Sequence, residues 1–216
     1  MSSDRLPGKS LINLVDRPMI KWVVDRVSQS TSVRKIVIAT SIDRSDNELV
    51  DYCRNNNFCC YRGPLNNVAS RLSGAVSTFQ GHEFIRISGD SPLIDPMIVD
   101  CAVKLYQATK VDLVTNVLER SFPMGQSVEI IRTATFKPLC ETMTDDKDQE
   151  HVTQKYYRCR ERFKIAQFSS GINASTQNMS VNTIEDLDRV SRLIHESGGK
   201  PGGWMELLSQ LENLDT

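Results

Sequence analysis

The sequence predicts an α/β fold in which a mostly parallel sheet carries helices on both faces. Two patterns support this prediction: helical spacing of apolar residues alternates with short strand-like runs, and the run Lys35 to Thr40 is nearly continuous in β-branched residues. Such a run is typical of a parallel strand covered on both faces. The length of 216 residues suits one full domain, so we expect residues 1–216 to fold together.

The first half of the chain alternates regularly between the two patterns. Ile20, Val23 and Val27 fall at helical spacing, which predicts a helix over residues 18–28. Pro96 suits the first turn of a helix that carries Val99 and Leu105. The remaining predicted elements of this half are strands at 35–40, 58–61, 83–87 and 113–116, and helices beginning near 46 and spanning 68–79.

The second half is less regular. Strand-like runs occur at residues 127–131 and 164–168, and helical stretches at 136–143 and 150–160. Leu187, Val190 and Ile194 mark a further helix, and a glycine-rich breaker separates it from a short terminal helix over 204–211. We see no internal repeat.

Composition and charge exclude several classes of protein. The formal net charge of -1 gives no basic surplus for polynucleotide binding. No apolar run approaches the roughly 20 residues that cross a bilayer. The six cysteines lack C-x-x-C spacing, and we expect them to be reduced and to pack as small apolar side chains. A cytoplasmic protein with no membrane or nucleic-acid partner is therefore expected.

The opening loop carries two cations beside a turn. Arg5 and Lys9 flank Leu6-Pro7-Gly8, whose glycine allows the backbone to approach a ligand closely. A triphosphate needs such cations and backbone N–H donors. The alternative is a surface turn with two solvated cations.

A phosphate-binding loop of this kind normally follows a buried strand, and nothing apolar precedes it here. Either the natural start lies upstream or the domain lacks a central strand. In the second case, neighbouring strands would keep unpaired backbone groups beside an open apolar slot.

The segment Ser88-Gly89-Asp90-Ser91-Pro92 follows a predicted strand. Open α/β sheets place ligands at the carboxyl ends of their strands, and a carboxylate there can hold Mg²⁺ together with substrate phosphates. A turn or helix-cap aspartate is the alternative.

Taken together, these segments resemble the sugar-acid cytidylyltransferases, which make CMP-activated sialic acid-like and Kdo-type sugars. The opening loop with Arg17-Pro18-Met19-Ile20 is similar to their start, and Arg86 to Asp95 resembles the spore-coat polysaccharide biosynthesis branch. Further matches run in order to about residue 195: Arg62-Gly63 with Val68 and Arg71, Gly125 with Val128-Glu129, Glu150 to Thr153, and Thr183 with Glu185 to Leu187.

The resemblance implies a Rossmann-like nucleotidyltransferase fold, CTP as donor, a sugar or sugar acid as acceptor, Mg²⁺ as cofactor and a homodimer. The residues implied are Asp90 for catalysis and metal binding, Asn182 as a second metal ligand, and Arg5, Gly8, Lys9, Arg71 and Arg86 for the nucleotide. Glu129, Glu150 and His151 are candidates for the acceptor: Glu129 faces it if Ser127 to Ile131 lines the cleft, and a helix-surface role is the alternative for His151. Three positions depart from the pattern. Asn182 replaces a metal-binding aspartate, which should lower metal affinity, and Asn67 and Ser127 replace acidic residues.

The leading hypothesis is a cytidylyltransferase for cell-surface polysaccharide or glycan biosynthesis. The three departures support an alternative, a catalytically weakened nucleotide-binding homologue that acts as a partner or regulatory subunit. A glycosyltransferase would need a D-x-D motif after a strand. Asp146-Lys147-Asp148 and Asp186-Leu187-Asp188 have that spacing, but neither follows a predicted strand directly.

Overall fold

The structure is a computed structural model that describes residues 6–214, so Arg5 lies outside the described residues. The helices are α1 (Met19–Ser28), α2 (Asn47–Asn55), α3 (Val68–Thr78), α4 (Pro96–Thr109), α5 (Thr133–Glu141), α6 (Asp146–Glu150), α7 (Gln154–Arg158), α8 (Ile184–Glu196) and α9 (Trp204–Leu214). The strands are β1 (Asn13–Leu14), β2 (Arg17–Pro18), β3 (Val37–Ser41), β4 (Cys59–Gly63), β5 (Glu83–Arg86), β6 (Leu113–Thr115), β7 (Glu129–Arg132) and β8 (Ile165–Gln167).

The predicted α/β class is confirmed, with one helix placed wrongly. The expected helix over residues 150–160 is two short helices, α6 and α7, which are separated by three residues. Two residues of the break, Val152 and Thr153, are buried, and His151 before them leaves helical geometry at ψ 54°. Burial of the break therefore overrides the local helical preference. The short pair β1 and β2 was also missed, because two residues are too few to show a strand period.

The main sheet contains one antiparallel strand, while its other three strands share one direction, so the prediction of a mostly parallel sheet is confirmed. Its strand order is β5-β7-β6-β8, and β7 is antiparallel to both β5 and β6, while β6 and β8 are parallel. No helix lies between β6 and β7. The chain therefore turns back at the edge of the sheet where β6 ends, and β7 runs in the opposite direction to β6. The strands β5, β6 and β8 still end at one common edge.

A second sheet is formed by β3 and β4, which pair in parallel from Val37 opposite Cys59 to Ser41 opposite Gly63. Among residues 6–214, β3 pairs only with β4 and β5 only with β7, so each keeps one edge without a strand partner. Helix α1 packs against both sheets: its Ile20 shares a buried cluster with Ile38 of β3, and its Val23 belongs to the cluster that Ile85 of β5 packs against.

The largest buried cluster lies between the main sheet and α1, α4, α8 and α9. Arg26 of α1 is buried in this region, and its guanidinium donates hydrogen bonds to the carbonyls of Ile94, Pro201 and Gly202. These bonds fasten the segment before α9 to the segment before α4. In the described part of the chain, no helix has both the length and the apolar character needed to cross a membrane.

The unpaired edges of β3 and β5 lead to a prediction for hydrogen exchange. Alternate amides of β3 and β5 face the edges that lack a strand partner, whereas β6 is paired on both sides. We expect these alternate amides to exchange more than about tenfold faster than those of β6, because local opening is not needed to expose them. Residue-resolved hydrogen exchange by NMR measures this, and uniform protection along β3 and β5 would contradict it.

Candidate active site

The opening loop forms a tight turn that fixes the backbone at Lys9. Gly8 has φ 69°, a left-handed conformation that favours glycine. The Leu11 N–H donates to the Gly8 carbonyl at 2.9 Å, and the buried Leu6 anchors the start of the turn. The turn continues into a short 3₁₀ helix over Lys9–Leu11. Because the backbone is held in this way, the Lys9 side chain leaves the turn from a defined point.

Asp90 lies in the connection between β5 and α4. The connection is anchored by Leu93 and Ile94, which are fully buried, and by Asp95, whose carboxylate accepts from the Met97 N–H at 2.8 Å and caps α4. The helix-cap role that was the alternative for Asp90 is therefore filled by Asp95. Asp90 remains at the carboxyl end of β5 with its side chain 20% exposed.

A third segment, residues 181–183, is bound beside Asp90. The Val181 N–H donates to the Asp90 carbonyl at 2.9 Å. The Asp186 carboxylate accepts from the N–H groups of Asn182 and Thr183 at 2.8 and 3.1 Å, and with Thr183 it forms a capping box at the start of α8. Burial acts to raise the pKa of Asp186, but hydrogen bonds from Arg189 and from this backbone lower it overall. Asn182 is thereby held in place.

These three segments converge on the Lys9 ammonium. Its Nζ donates to Asp90 Oδ2 at 3.1 Å and to Asn182 Oδ1 at 2.9 Å, with the Val181 carbonyl at 3.5 Å. The structure thus joins the cationic turn to the carboxylate predicted at the strand end, across 81 residues of sequence.

The oxygens around Lys9 Nζ offer a limited set of metal ligands. Asp90 supplies one carboxylate, Asn182 a neutral amide oxygen and Val181 a backbone carbonyl. Residues 6–214 contain no group of three or more His, Cys, Asp and Glu side chains that could hold a metal ion. Mg²⁺ is commonly bound through one or two carboxylates plus substrate phosphates. The donor set therefore fits a cation that shares its coordination with a phosphate ligand.

A second polar network lies across three strands near the same end of β5. The Glu129 carboxylate is buried and accepts from Arg86 Nη1 at 2.6 Å and from the Tyr157 hydroxyl at 2.5 Å. The Tyr157 hydroxyl also lies 2.8 Å from the Thr115 hydroxyl. Burial, with the Glu129 charge, raises the pKa of Tyr157, so its hydroxyl keeps the proton that it donates.

This network changes the interpretation of Glu129. We expected it to contact the acceptor, but its side chain is 1% exposed and both oxygens are engaged. It instead holds Arg86, whose side chain is 32% exposed. Arg86 precedes Asp90 by four residues, which places their Cα atoms within about 14 Å. Thr115 and Tyr157 were missed, because a sequence pattern does not reveal which residues meet across strands.

The other predicted residues lie in two further places. Arg71 Nη1 donates to the carbonyls of Pro64 and Leu65 at 2.6 and 2.9 Å, so it supports the loop after β4. Glu150 and His151 are exposed at the end of α6. They adjoin Gln149, which with residues 42–44 and 64–67 lines an open cavity of ≈ 690 Å³. The structure shows no hydrogen bond between these residues and Lys9 or Asp90 within the described chain.

The other two positions that depart from the family pattern, Asn67 and Ser127, and the aspartates of the two D-x-D triplets make hydrogen bonds or ion pairs within the fold. Asn67 caps α3, since its side chain accepts from the Ser70 N–H at 2.7 Å. Ser127 accepts from Arg120 Nη2 at 3.1 Å, while Arg120 Nη1 is buried without a partner among the described atoms. Asp148 pairs with Lys155 and Arg158, and Asp186 caps α8, so both D-x-D triplets are used in local structure. The pattern Thr183-x-x-Asp186 before an apolar run could have revealed that cap.

Comparison with known proteins identifies the family of this chain. A family model described as Cytidylyltransferase matches residues 1–213. The chain belongs to the cytidylyltransferase family. The spore coat polysaccharide biosynthesis protein SpsF of Bacillus subtilis (strain 168) is 28% identical over 211 residues, covering 93% of this chain and 85% of SpsF. The sequence resemblance to sugar-acid cytidylyltransferases is thereby confirmed.

Two solved structures confirm the nucleotidyltransferase fold. A cytidylyltransferase from Leptospira borgpetersenii serovar Hardjo-bovis (strain JB197) superposes with a TM-score of 0.93 at 24% identity, covering 100% of this chain and 91% of that chain. A CMP:2-keto-3-deoxy-manno-octonic acid synthetase in complex with CTP gives a TM-score of 0.69 at 16% identity, covering 90% of this chain and 95% of that chain.

The close approach of the Met179 backbone to Gly125 leads to a stability prediction for this cytidylyltransferase. Gly125 has φ 91°, and a Cβ there would lie 2.7 Å from the Met179 carbonyl carbon. Gly125→Ala should lower the free energy of unfolding by about 1–3 kcal/mol through clash and strain, measured by urea denaturation. Gly171→Ala is the matched control, since φ is 81° but, apart from its two chain neighbours, no atom of residues 6–214 lies within 4 Å of the added Cβ. An equal cost in both variants would contradict the close-approach explanation.

The buried network around Glu129 leads to a second prediction. Tyr157→Phe leaves one buried carboxylate oxygen without its donor, so we expect a loss of about 1–3 kcal/mol in the free energy of unfolding. The control is Tyr106→Phe, whose hydroxyl has no hydrogen-bond partner in the described chain. Denaturant unfolding of both variants provides the measurement, and an unchanged midpoint for Tyr157→Phe would show that the network contributes no stability.

Proposed function

We propose that this chain transfers the cytidylyl group of CTP to a hydroxyl of a sugar or sugar acid and releases pyrophosphate. Family membership supports cytidylyl transfer, and the observation that carries the assignment to this site is the convergence of Lys9, Asp90 and Asn182 at the carboxyl end of β5. A cation, a carboxylate and an amide oxygen at a strand end suit a metal-bound triphosphate. A role in cell-surface polysaccharide or glycan biosynthesis is part of the same proposal.

In the proposed mechanism, Lys9 and the turn at Gly8 bind the phosphates, together with Arg5 from the preceding residues. Asp90 and Asn182 would hold Mg²⁺, which supplies positive charge to neutralise the phosphate oxygens. A hydroxyl oxygen of the acceptor attacks the α-phosphorus in line and its proton passes to solvent. The bond from the α-phosphorus to the bridging oxygen breaks, and pyrophosphate leaves. Positioning and charge stabilisation provide most of the rate enhancement in such a reaction.

The remaining residues have supporting roles in this proposal. Arg86, fixed by the buried Glu129, presents a planar guanidinium that suits a phosphate of the nucleotide. Arg71 supports the loop after β4 through the Pro64 and Leu65 carbonyls, and Glu150 and His151, beside the cavity that this loop lines, contact the acceptor sugar. A homodimer stays a prediction, which light scattering of the purified protein would check.

A second candidate function is favoured by the charge at the site. Asn182 contributes no charge, and the Asp90 carboxylate already pairs with Lys9. A protein with this arrangement could bind a nucleotide with little turnover and act as a partner or regulatory subunit. Binding of CTP by calorimetry, without pyrophosphate release across a panel of sugars and sugar acids, would favour this candidate.

The proposed reaction predicts a large and specific effect of Asp90→Asn. With CTP, Mg²⁺ and a responsive acceptor, pyrophosphate release should fall by about 10²–10³-fold, because the charged ligand of the cation is lost. The asparagine can still accept from Lys9, so the melting temperature should change little. Asp51→Asn is the control, since Asp51 is exposed on α2 and pairs only with its neighbour Arg54 in the described chain. An unchanged rate for Asp90→Asn would refute the metal assignment.

A further inference from the structure

We infer that the Lys9 ammonium is a built-in, exchangeable occupant of the cation site. In the nucleotide-free protein it takes the place of the divalent ion, and it moves to the phosphates when the triphosphate binds. The metal therefore enters with the nucleotide and does not bind the free protein. This inference rests on the proposed function, because it assigns an order of binding to the same site.

The geometry gives one position for two different cations. Asp90 Oδ2 and Asn182 Oδ1 both accept from the same nitrogen, at 3.1 and 2.9 Å. A metal ion coordinated by both oxygens would have to replace that nitrogen, because Mg²⁺ lies about 2.0–2.1 Å from each ligand. Lys9 and a metal ion bound to both residues are therefore mutually exclusive.

The charges at the site favour Lys9 in the absence of a ligand. Asp90 is the one carboxylate that contacts the Lys9 ammonium in the described chain, and the Asn182 amide is neutral. Lys9 and Asp90 together carry no net charge, so a free divalent ion gains no attraction from the pair. The ion would also have to expel a cation that is only 20% exposed and already hydrogen-bonded to the protein.

A triphosphate changes this balance because it brings its own negative charge. The flexible four-carbon stem of lysine allows Nζ to change partners while the turn stays fixed by Gly8 and the buried Leu6. Once Nζ bonds to phosphate oxygens, Asp90 and Asn182 become available to a metal that the same phosphates also coordinate.

Because the Asn182 side chain is neutral, the single ammonium of Lys9 is sufficient to balance the negative charge of the site. The Asn182 Nδ2 donates to the Ser180 hydroxyl at 3.2 Å and its backbone N–H donates to Asp186, which orients Oδ1 toward Lys9. Asn182→Asp would keep the backbone contact and add a second carboxylate. Lys9 could then neutralise only half of the negative charge, and the free protein should attract a divalent ion.

The test is the binding of Mn²⁺ without nucleotide, followed by the EPR signal of free Mn²⁺. The wild-type protein should bind Mn²⁺ weakly, whereas Asn182→Asp and Lys9→Met should each bind it at least tenfold more tightly. Lys9→Met should also bind CTP at least tenfold more weakly in calorimetry, because its ammonium is lost. Lys104→Met, at an exposed position on α4, is the control for the change in net charge and should bind Mn²⁺ as the wild type does.

The decisive comparison is Lys9→Met against Lys104→Met. Equal Mn²⁺ affinity in the two variants would overturn the inference, because a lysine with only a supporting role would not compete with the metal. Lys9→Gln provides a second variant if Lys9→Met fails to give a cooperative thermal transition. Tighter Mn²⁺ binding by Lys9→Met, with no release of pyrophosphate from CTP by the wild-type protein whichever acceptor is offered, would uphold the inference and count against the proposed function. If the wild-type protein releases pyrophosphate but Lys9→Met shows no gain in Mn²⁺ affinity, the proposed function would be supported and the inference would be overturned.

Discussion

The ion pair between Lys9 and Asp90 is the contact on which the rest of the site depends. It joins the opening turn to the end of β5 at 3.1 Å, and Asn182 shares the same ammonium at 2.9 Å. Each partner is fixed by separate local structure: the left-handed turn at Gly8, the connection capped by Asp95, and the start of α8 capped by Asp186. The Val181 N–H also donates to the Asp90 carbonyl at 2.9 Å, so the polar groups of the three segments meet on a backbone that is already held in place.

The polar groups at this edge of the sheet differ in how readily they can exchange one hydrogen-bond or ion-pair partner for another. Glu129 is buried and bound on both oxygens, so its charge is committed to Arg86 and Tyr157. Lys9 and Asp90 are partly exposed and paired mainly with each other. The first arrangement is rigid because a buried carboxylate that loses a partner is costly, whereas the second can exchange partners with a charged ligand at lower cost. The sheet therefore places a fixed guanidinium near an exchangeable ion pair.

Much of this arrangement could be predicted from local sequence. The strand before Gly89 carries the apolar residues Phe84, Ile85 and Ile87, and carboxyl ends of strands are where ligands bind, so Asp90 could be singled out. The glycine turn with its cations indicated Lys9 in the same way. The contact between the two could only be inferred through a shared ligand, since no local pattern links residues 81 positions apart. The direction of β7 could not be predicted, because the sequence pattern of a strand is the same in both directions. The register that buries Glu129 beside Arg86 could not be predicted for the same reason. The break between α6 and α7 was hidden for a similar reason: burial of Val152 depends on tertiary packing.

A crystal structure with Mg²⁺ and a non-hydrolysable CTP analogue would test the central claim most directly. In that complex we expect the triphosphate to lie against the turn at Gly8, Lys9 Nζ to contact a phosphate oxygen instead of Asp90, and Asp90 to face the metal ion. A triphosphate bound elsewhere, for example over the open cavity lined by residues 64–67, with the ion pair between Lys9 and Asp90 intact, would contradict it.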